Sequence, residues 1–152
     1  MSLFGVHIPP SNIRVIPPGQ SKHDALDLLI SAVARSGAVA DHEVFQRAVH
    51  EREAVMSTGI GGGVAIPHVR IPEVRYATIG VGVAPDGIEY GTLDNNPVHI
   101  LVLFAMPEGA DKEYLRLLAQ VMAALKNQEV YDRLVACRTA KEVHAVLEGA
   151  GP

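Results

Sequence analysis

Val98-His99-Ile100-Leu101-Val102-Leu103-Phe104-Ala105-Met106 is a nine-residue run in which only His99 is polar. A strand with one wet face alternates apolar and polar residues, so an almost unbroken apolar run of this length suits a strand covered on both faces. The turn-forming Asp94-Asn95-Asn96-Pro97 leads into it, and Pro107 with Gly109 ends it. The run is expected to be the centre of a sheet.

Downstream, Asp111 is expected to cap a long helix with an apolar stripe of Leu115, Leu118, Val121, Met122 and Leu125. Val130 and Leu134 predict a short helix. Thr139 and Glu142 form the capping box of another, with Val143, Val146 and Leu147 facing inward. Upstream, Ala77, Ile79, Val81 and Val83 alternate with small residues as a half-buried strand does, and the stretch from Gly87 to Gly91, with Ile88, predicts a short hairpin excursion. Nearer the N-terminus, a short strand is expected at Ile13 to Val15. Ser21 and Asp24 then make a capping pair ahead of Leu26, Leu29, Ile30 and Val33 at helical spacing, with Gly37 as the stop. Asp41 caps a second helix, with Val44, Phe45, Ala48 and Val49 on one face, expected to end near Arg52 or Glu53. Helices and strands alternate throughout, which makes this an α/β chain.

With 152 residues, 48% hydrophobic content and a net charge of -4, residues 1–152 fit one domain with its own core. No stretch approaches the roughly 20 apolar residues of a membrane span, and no secretory signal pattern opens the chain, so a cytoplasmic location is expected. Cys137, the only cysteine, excludes an internal disulfide and paired-thiolate zinc sites and is expected to be an ordinary helix residue. Mild acidity without a basic run argues against nucleic-acid binding.

Chemistry concentrates at Gly59-Ile60-Gly61-Gly62-Gly63-Val64-Ala65-Ile66-Pro67-His68. Glycines permit positive φ, so Gly59, Gly61, Gly62 and Gly63 can turn backbone N–H groups toward an anion such as a phosphate. His68 supplies an imidazole that is largely uncharged near neutral pH, and one ring nitrogen then keeps a lone pair for attack on phosphorus. Pro67 fixes the exit direction of the chain before it. Arg52 is the natural clamp, because guanidinium engages two phosphate oxygens in one plane. Ser57 and Thr58 either donate hydroxyls to the same anion or cap the turn.

These residues also resemble a known family. Glu51-Arg52-Glu53, Ser57-Thr58-Gly59-Ile60-Gly61, Ala65-Ile66-Pro67-His68, and Asp94 to Val98 leading into Pro107 look like the enzyme IIA component, fructose/mannitol and nitrogen-regulatory type, of the bacterial phosphoenolpyruvate-dependent phosphotransferase system. The likeness runs from about Ile13 to Leu147. It implies a mixed central β-sheet flanked by helices, with His68 accepting a phosphoryl group from a histidine-containing phosphocarrier protein. In sugar-transport members the group passes on to an enzyme IIB; a regulatory member instead acts on a target protein. Family members usually carry a second active-site histidine before a leucine at the start of the long helix, whereas here Tyr114 precedes Leu115. Tyr114 either donates a phenolic hydrogen bond to a phosphoryl oxygen or packs its ring on the helix surface, and near neutral pH it brings no positive charge.

The remaining histidines carry little in sequence. His99 reads as a strand residue, and His7, His23, His42, His50 and His144 are scattered over expected loops and helix faces, without the two-histidine helical spacing of a catalytic zinc site. Neither a metal nor a cofactor is expected, and the glycine loop lacks the Lys-Ser/Thr ending of a nucleotide-binding loop. Arg70 and Arg75 are candidates for a docking rim. Three readings follow: a regulatory phosphoryl acceptor, placed first because losing one imidazole suits slow charging and discharging; a sugar-transport relay; and a partner-binding pseudo-enzyme that is never phosphorylated.

Overall fold

A computed structural model describes residues 2–149. In chain order, after a 3₁₀ turn at Pro10–Asn12, the elements are β1 (Ile13–Val15), α1 (Lys22–Ala34), α2 (His42–Val55), β2 (Gly59–Gly61), β3 (Val64–Ala65), β4 (His68–Arg70), β5 (Thr78–Ile88), β6 (Val98–Met106), α3 (Asp111–Lys126), α4 (Gln128–Val135) and α5 (Ala140–Leu147). The apolar run is β6, and it occupies the expected place. It pairs antiparallel with β5 on one side and parallel with β3 and then β4 on the other; β1 lies parallel to β5, and β2 antiparallel to β3. The sheet is mixed, and among the described residues five helices flank it.

Side chains of a strand alternate between faces, and β6 divides its own residues in that way. Ile100, Val102, Phe104 and Met106 pack with Leu117, Val121, Leu134, Val143 and Leu147 of α3, α4 and α5. Leu101, Leu103 and Ala105 pack with Leu26, Leu29, Ile30, Val33, Phe45 and Val49 of α1 and α2. Strand β5 is covered on both faces too, and not half-buried as its alternation predicts. Its small residues serve close approach: a Cβ on Gly80 would lie 2.5 Å from Val33 Cγ2. The strand also runs on through an irregularity to Ile88, which pairs with Val98, so the expected excursion is the connection between β5 and β6.

Three helix caps follow the sequence. Ser21, Asp41 and Thr139 each accept the backbone N–H three residues on, from Asp24, Val44 and Glu142, at 3.1 Å. Helix α2 continues to Val55, two residues past the expected end. Helix α3 departs further. Ala110 is its N-cap, without a side-chain bond, and Asp111 is its first helical residue, paired instead with Arg70. The buried stripe is Tyr114, Leu117, Val121 and Leu125, while Leu115 is 61% exposed. Apolar residues at both 117 and 118 leave the helix phase open to two readings, and packing against Phe104 selects the one that turns Tyr114 inward. Cys137 lies between α4 and α5 rather than in a helix, and is buried.

Candidate functional site

His68 opens β4, where its backbone pairs with Phe104 near the C-terminal end of β6. Pro67, having no N–H, separates β3 from β4, and its carbonyl accepts the Phe104 N–H at 2.9 Å, so both short strands stay in line on one edge. The C-terminal ends of parallel strands are where helix N-termini and loops converge, and α3 begins beside this one. The imidazole Nδ1 lies 2.9 Å from the Ile66 carbonyl oxygen. A carbonyl can only accept, so Nδ1 carries the proton and donates it. In the neutral ring the lone pair then belongs to Nε2, across from it.

Helix α2 delivers Arg52. Arg52 and His68 together form the wall between two adjoining clefts, of about 400 Å³ toward Arg70 and Ile71 and about 330 Å³ toward Ser57, Gly59 and Leu93. Arg52 spends one N–H on the Met56 carbonyl at 3.1 Å, in an exposed position, and keeps the rest of its fork. Tyr114 comes from the first turn of α3. Its ring centre is 5.3 Å from that of His68, and the Arg70 guanidinium lies 5.7 Å from the same tyrosine ring. Burial pushes the Tyr114 hydroxyl above its ordinary range, against the pull of Arg70 and Arg52. The tyrosine therefore stays neutral, and positive charge near the imidazole comes from Arg52 and from Arg70, whose charge is partly offset by its ion pair with Asp111.

The structure redistributes the other expected anion ligands. Gly62 and Gly63, at φ +65° and +77°, are the central pair of the tight turn joining β2 to β3. Val64 pairs with Ile100 while His68 pairs with Phe104, four residues further along β6, which puts this turn about 13 Å from His68 along the sheet. The Gly62 N–H is taken by Asp94 at 3.0 Å, which pulls the Asp94 carboxyl down to about 2, and Gly61 and Gly62 border a separate cleft under Tyr131. Gly61, Gly62 and Gly63 thus shape the hairpin and do not cradle a group on His68. Gly59 alone of the four lines a cleft with it.

Thr58 is also corrected. Its N–H and hydroxyl both go to the buried Glu53 carboxylate, at 2.8 and 2.7 Å, and its oxygen lies 3.0 Å from the Tyr90 hydroxyl. Among the alternatives for Thr58, the structure takes the local one. Ser57 accepts the Gly59 N–H at 3.2 Å and lines the cleft. Glu53, quoted in the sequence motif but given no role there, is also reached by Lys22 at 3.0 Å. Burial pushes its carboxyl up, but Thr58 and Lys22 together hold it below the usual value. Reasoning from sequence also missed the apolar rim: Val55, Met56 and Leu93, which border the two clefts, are 83%, 68% and 86% exposed. Exposed apolar residues beside a reactive group are the only signal, and burial cannot be read from sequence at helix ends and loops.

Scattered in sequence, most of the other histidines gather in space. His23 and His50 meet at Asp27, and His7 and His144 meet at Glu148. His99 is a strand residue, as expected, with Nδ1 2.9 Å from the Ala84 carbonyl.

A family model for the EIIA 2 component of the phosphoenolpyruvate-dependent sugar phosphotransferase system matches residues 7–150. The chain belongs to this family. The EIIA chain is 33% identical over 138 residues to the nitrogen regulatory protein of Pseudomonas aeruginosa, covering 91% of this chain and 90% of that protein. It is 31% identical over 135 residues to the fructose-specific EIIABC component of Bacillus subtilis, and it spans 89% of its own length but only 21% of that larger protein. The crystal structure of nitrogen regulatory protein IIA-Ntr from Neisseria meningitidis superposes with a TM-score of 0.82 at 28% identity, covering 96% of this chain and 99% of that one. Among the described residues no helix is long and apolar enough to cross a membrane.

Proposed function

We propose that this EIIA chain accepts a phosphoryl group on Nε2 of His68 and acts chiefly as a regulatory protein. The observation that carries the reading is the 2.9 Å bond from Nδ1 to the Ile66 carbonyl, which in the neutral ring puts the lone pair on the opposite nitrogen of a side chain that lines a cleft with Arg52. The donor is a histidine-containing phosphocarrier protein. Nε2 attacks in line, the phosphorus–nitrogen bond of the donor breaks, and the donor imidazole leaves with its electron pair. Such transition states are loose, with charge spread over three oxygens, so positioning and positive charge do most of the work. Arg52 clamps the oxygens, Arg70, in the same cleft and partly offset by Asp111, adds charge, and Tyr114 donates a neutral hydrogen bond.

The apolar rim of Val55, Met56 and Leu93 supplies a docking surface around the nucleophile. Phosphorylation places nearly two negative charges at its centre and changes which target protein binds there. A sugar-transport relay to an enzyme IIB is the second reading, favoured by the 31% identity to a fructose-specific component.

Incubation with phosphoenolpyruvate, enzyme I and the phosphocarrier, followed by intact-mass measurement, tests the acceptor. One phosphate is expected on the wild type and none on His68→Ala. Phosphate on both moves the acceptor elsewhere, and phosphate on neither leaves the pseudo-enzyme. A chase with enzyme IIB separates the roles: rapid discharge supports the relay, and slow discharge supports regulation.

A further inference from the structure

On the α1–α2 surface, three metal-binding groups converge. His23 Nε2 lies 3.2 Å from Asp27 Oδ2, and His50 Nε2 lies 2.7 Å from Asp27 Oδ1. The two imidazoles stack with centres 4.2 Å apart and planes 21° from parallel, so both present the same edge to one carboxylate. All three ligand atoms lie within 4.8 Å of one another. From these contacts we infer a binding site for a divalent transition-metal ion, zinc above all, held by His23, Asp27 and His50.

Two imidazole nitrogens and one carboxylate oxygen are a ligand set that suits zinc, with water completing a tetrahedron. Bonds of about 2.0–2.1 Å place neighbouring ligands of a tetrahedral zinc about 3.3 Å apart; the 3.2 Å between His23 and Asp27 already matches this, and the 2.7 Å between His50 and Asp27 lengthens as the metal replaces their shared proton. His23 is 67% exposed and can swing to close the third. Gln46 donates to Asp27 Oδ1 at 3.0 Å, the outer hydrogen bond that orients a ligating carboxylate. Each pair comes from one helix at i, i+4 spacing, His23 with Asp27 and Gln46 with His50, so both arms are rigid. Each imidazole binds through Nε2 with its proton shifted to Nδ1. A bound metal then ties α1 to α2, whose last turn carries Arg52.

The group at His7, His144 and Glu148 is the weaker competitor. Its separations are 3.3 and 3.6 Å, and His7 stands 68% exposed on a segment outside any helix or strand. That makes it a useful comparison.

Zinc titration of the tag-free full chain by calorimetry is expected to show one saturable site. His23→Gln and His50→Gln are each expected to weaken it by at least about 100-fold, since even outer-shell losses cost 10–100-fold. His144→Gln should leave it unchanged. At zinc about a hundredfold above Kd, the wild-type Tm should rise by about 5–10 °C, and that of His23→Gln should not. Cobalt in place of zinc should give the visible absorption of a tetrahedral site in the wild type alone of these two. Absence of saturable zinc binding overturns the inference, and so does a site that survives His23→Gln or is lost in His144→Gln. Because His23 is exposed, its variant keeps the test decisive even if His50→Gln misfolds.

Discussion

Replacing Thr58 by Val removes one hydroxyl and adds almost no volume, and the structure makes that hydroxyl a buried connector rather than a ligand for phosphate. It donates to the Glu53 carboxylate at 2.7 Å and meets the Tyr90 hydroxyl at 3.0 Å. A hydrogen bond to a charged group contributes about 1.5–3 kcal/mol, and stranding a buried hydroxyl costs about 1–3 kcal/mol more. The two losses share one network and do not add fully, so Thr58→Val is expected to destabilise by about 2–4 kcal/mol. Thr58→Ser, which keeps the hydroxyl, should recover most of it. The Glu53 carboxyl titrates below its ordinary value in the fold, so its contribution is complete above about pH 4.5 and is lost as pH falls through the lower folded value. The gap between wild type and Thr58→Val should therefore be widest near neutrality and narrow below pH 4. Urea unfolding at pH 7 and at pH 3.5 measures it. A variant of wild-type stability that instead loses phosphoryl transfer would refute the reasoning and return Thr58 to the anion.

Other consequences concern the site and the sheet. Tyr114→His puts a chargeable imidazole where the ring now lies 5.3 Å from His68, and trading a neutral for a charge-assisted hydrogen bond should speed single-turnover phosphorylation about tenfold; an unchanged rate removes Tyr114 from the reaction. Arg52→Ala should slow the same step about 100-fold while urea stability stays within about 1 kcal/mol, because its side-chain bond to Met56 is exposed; a normal rate dismisses the clamp. Gly80→Ala places a methyl 2.5 Å from Val33 Cγ2 and should cost about 1–3 kcal/mol with the extent of phosphorylation unchanged, and a neutral effect would show that α1 can yield.

How much could be read in advance differs from residue to residue for definite reasons. Ser21, Asp41 and Thr139 cap their helices as read, because a cap joins groups three residues apart. The unbroken apolar run of β6 announces a strand buried on both faces. The glycine turn misleads: Gly61, Gly62 and Gly63 take positive φ and Gly59 does not, and an anion cradle and a hairpin turn require the same residue type. Helix α3 misleads by one residue of phase, since Leu115, Leu117 and Leu118 offer two apolar faces.

By itself, then, the amino-acid sequence determined what local chemistry can decide: the helix ends, the central strand, and a histidine whose neighbours mark it as reactive. Tertiary structure alone decided which groups stand around that histidine. It carried Gly61 to Gly63 to the far end of a hairpin, turned Thr58 toward Glu53, and brought Tyr114 from a distant helix to lie between the His68 imidazole and the guanidinium of neighbouring Arg70. It also gathered His23, Asp27 and His50 onto one surface. Such placements depend on strand register and helix rotation, which are set by packing between segments far apart in the chain and leave no trace in any one of them.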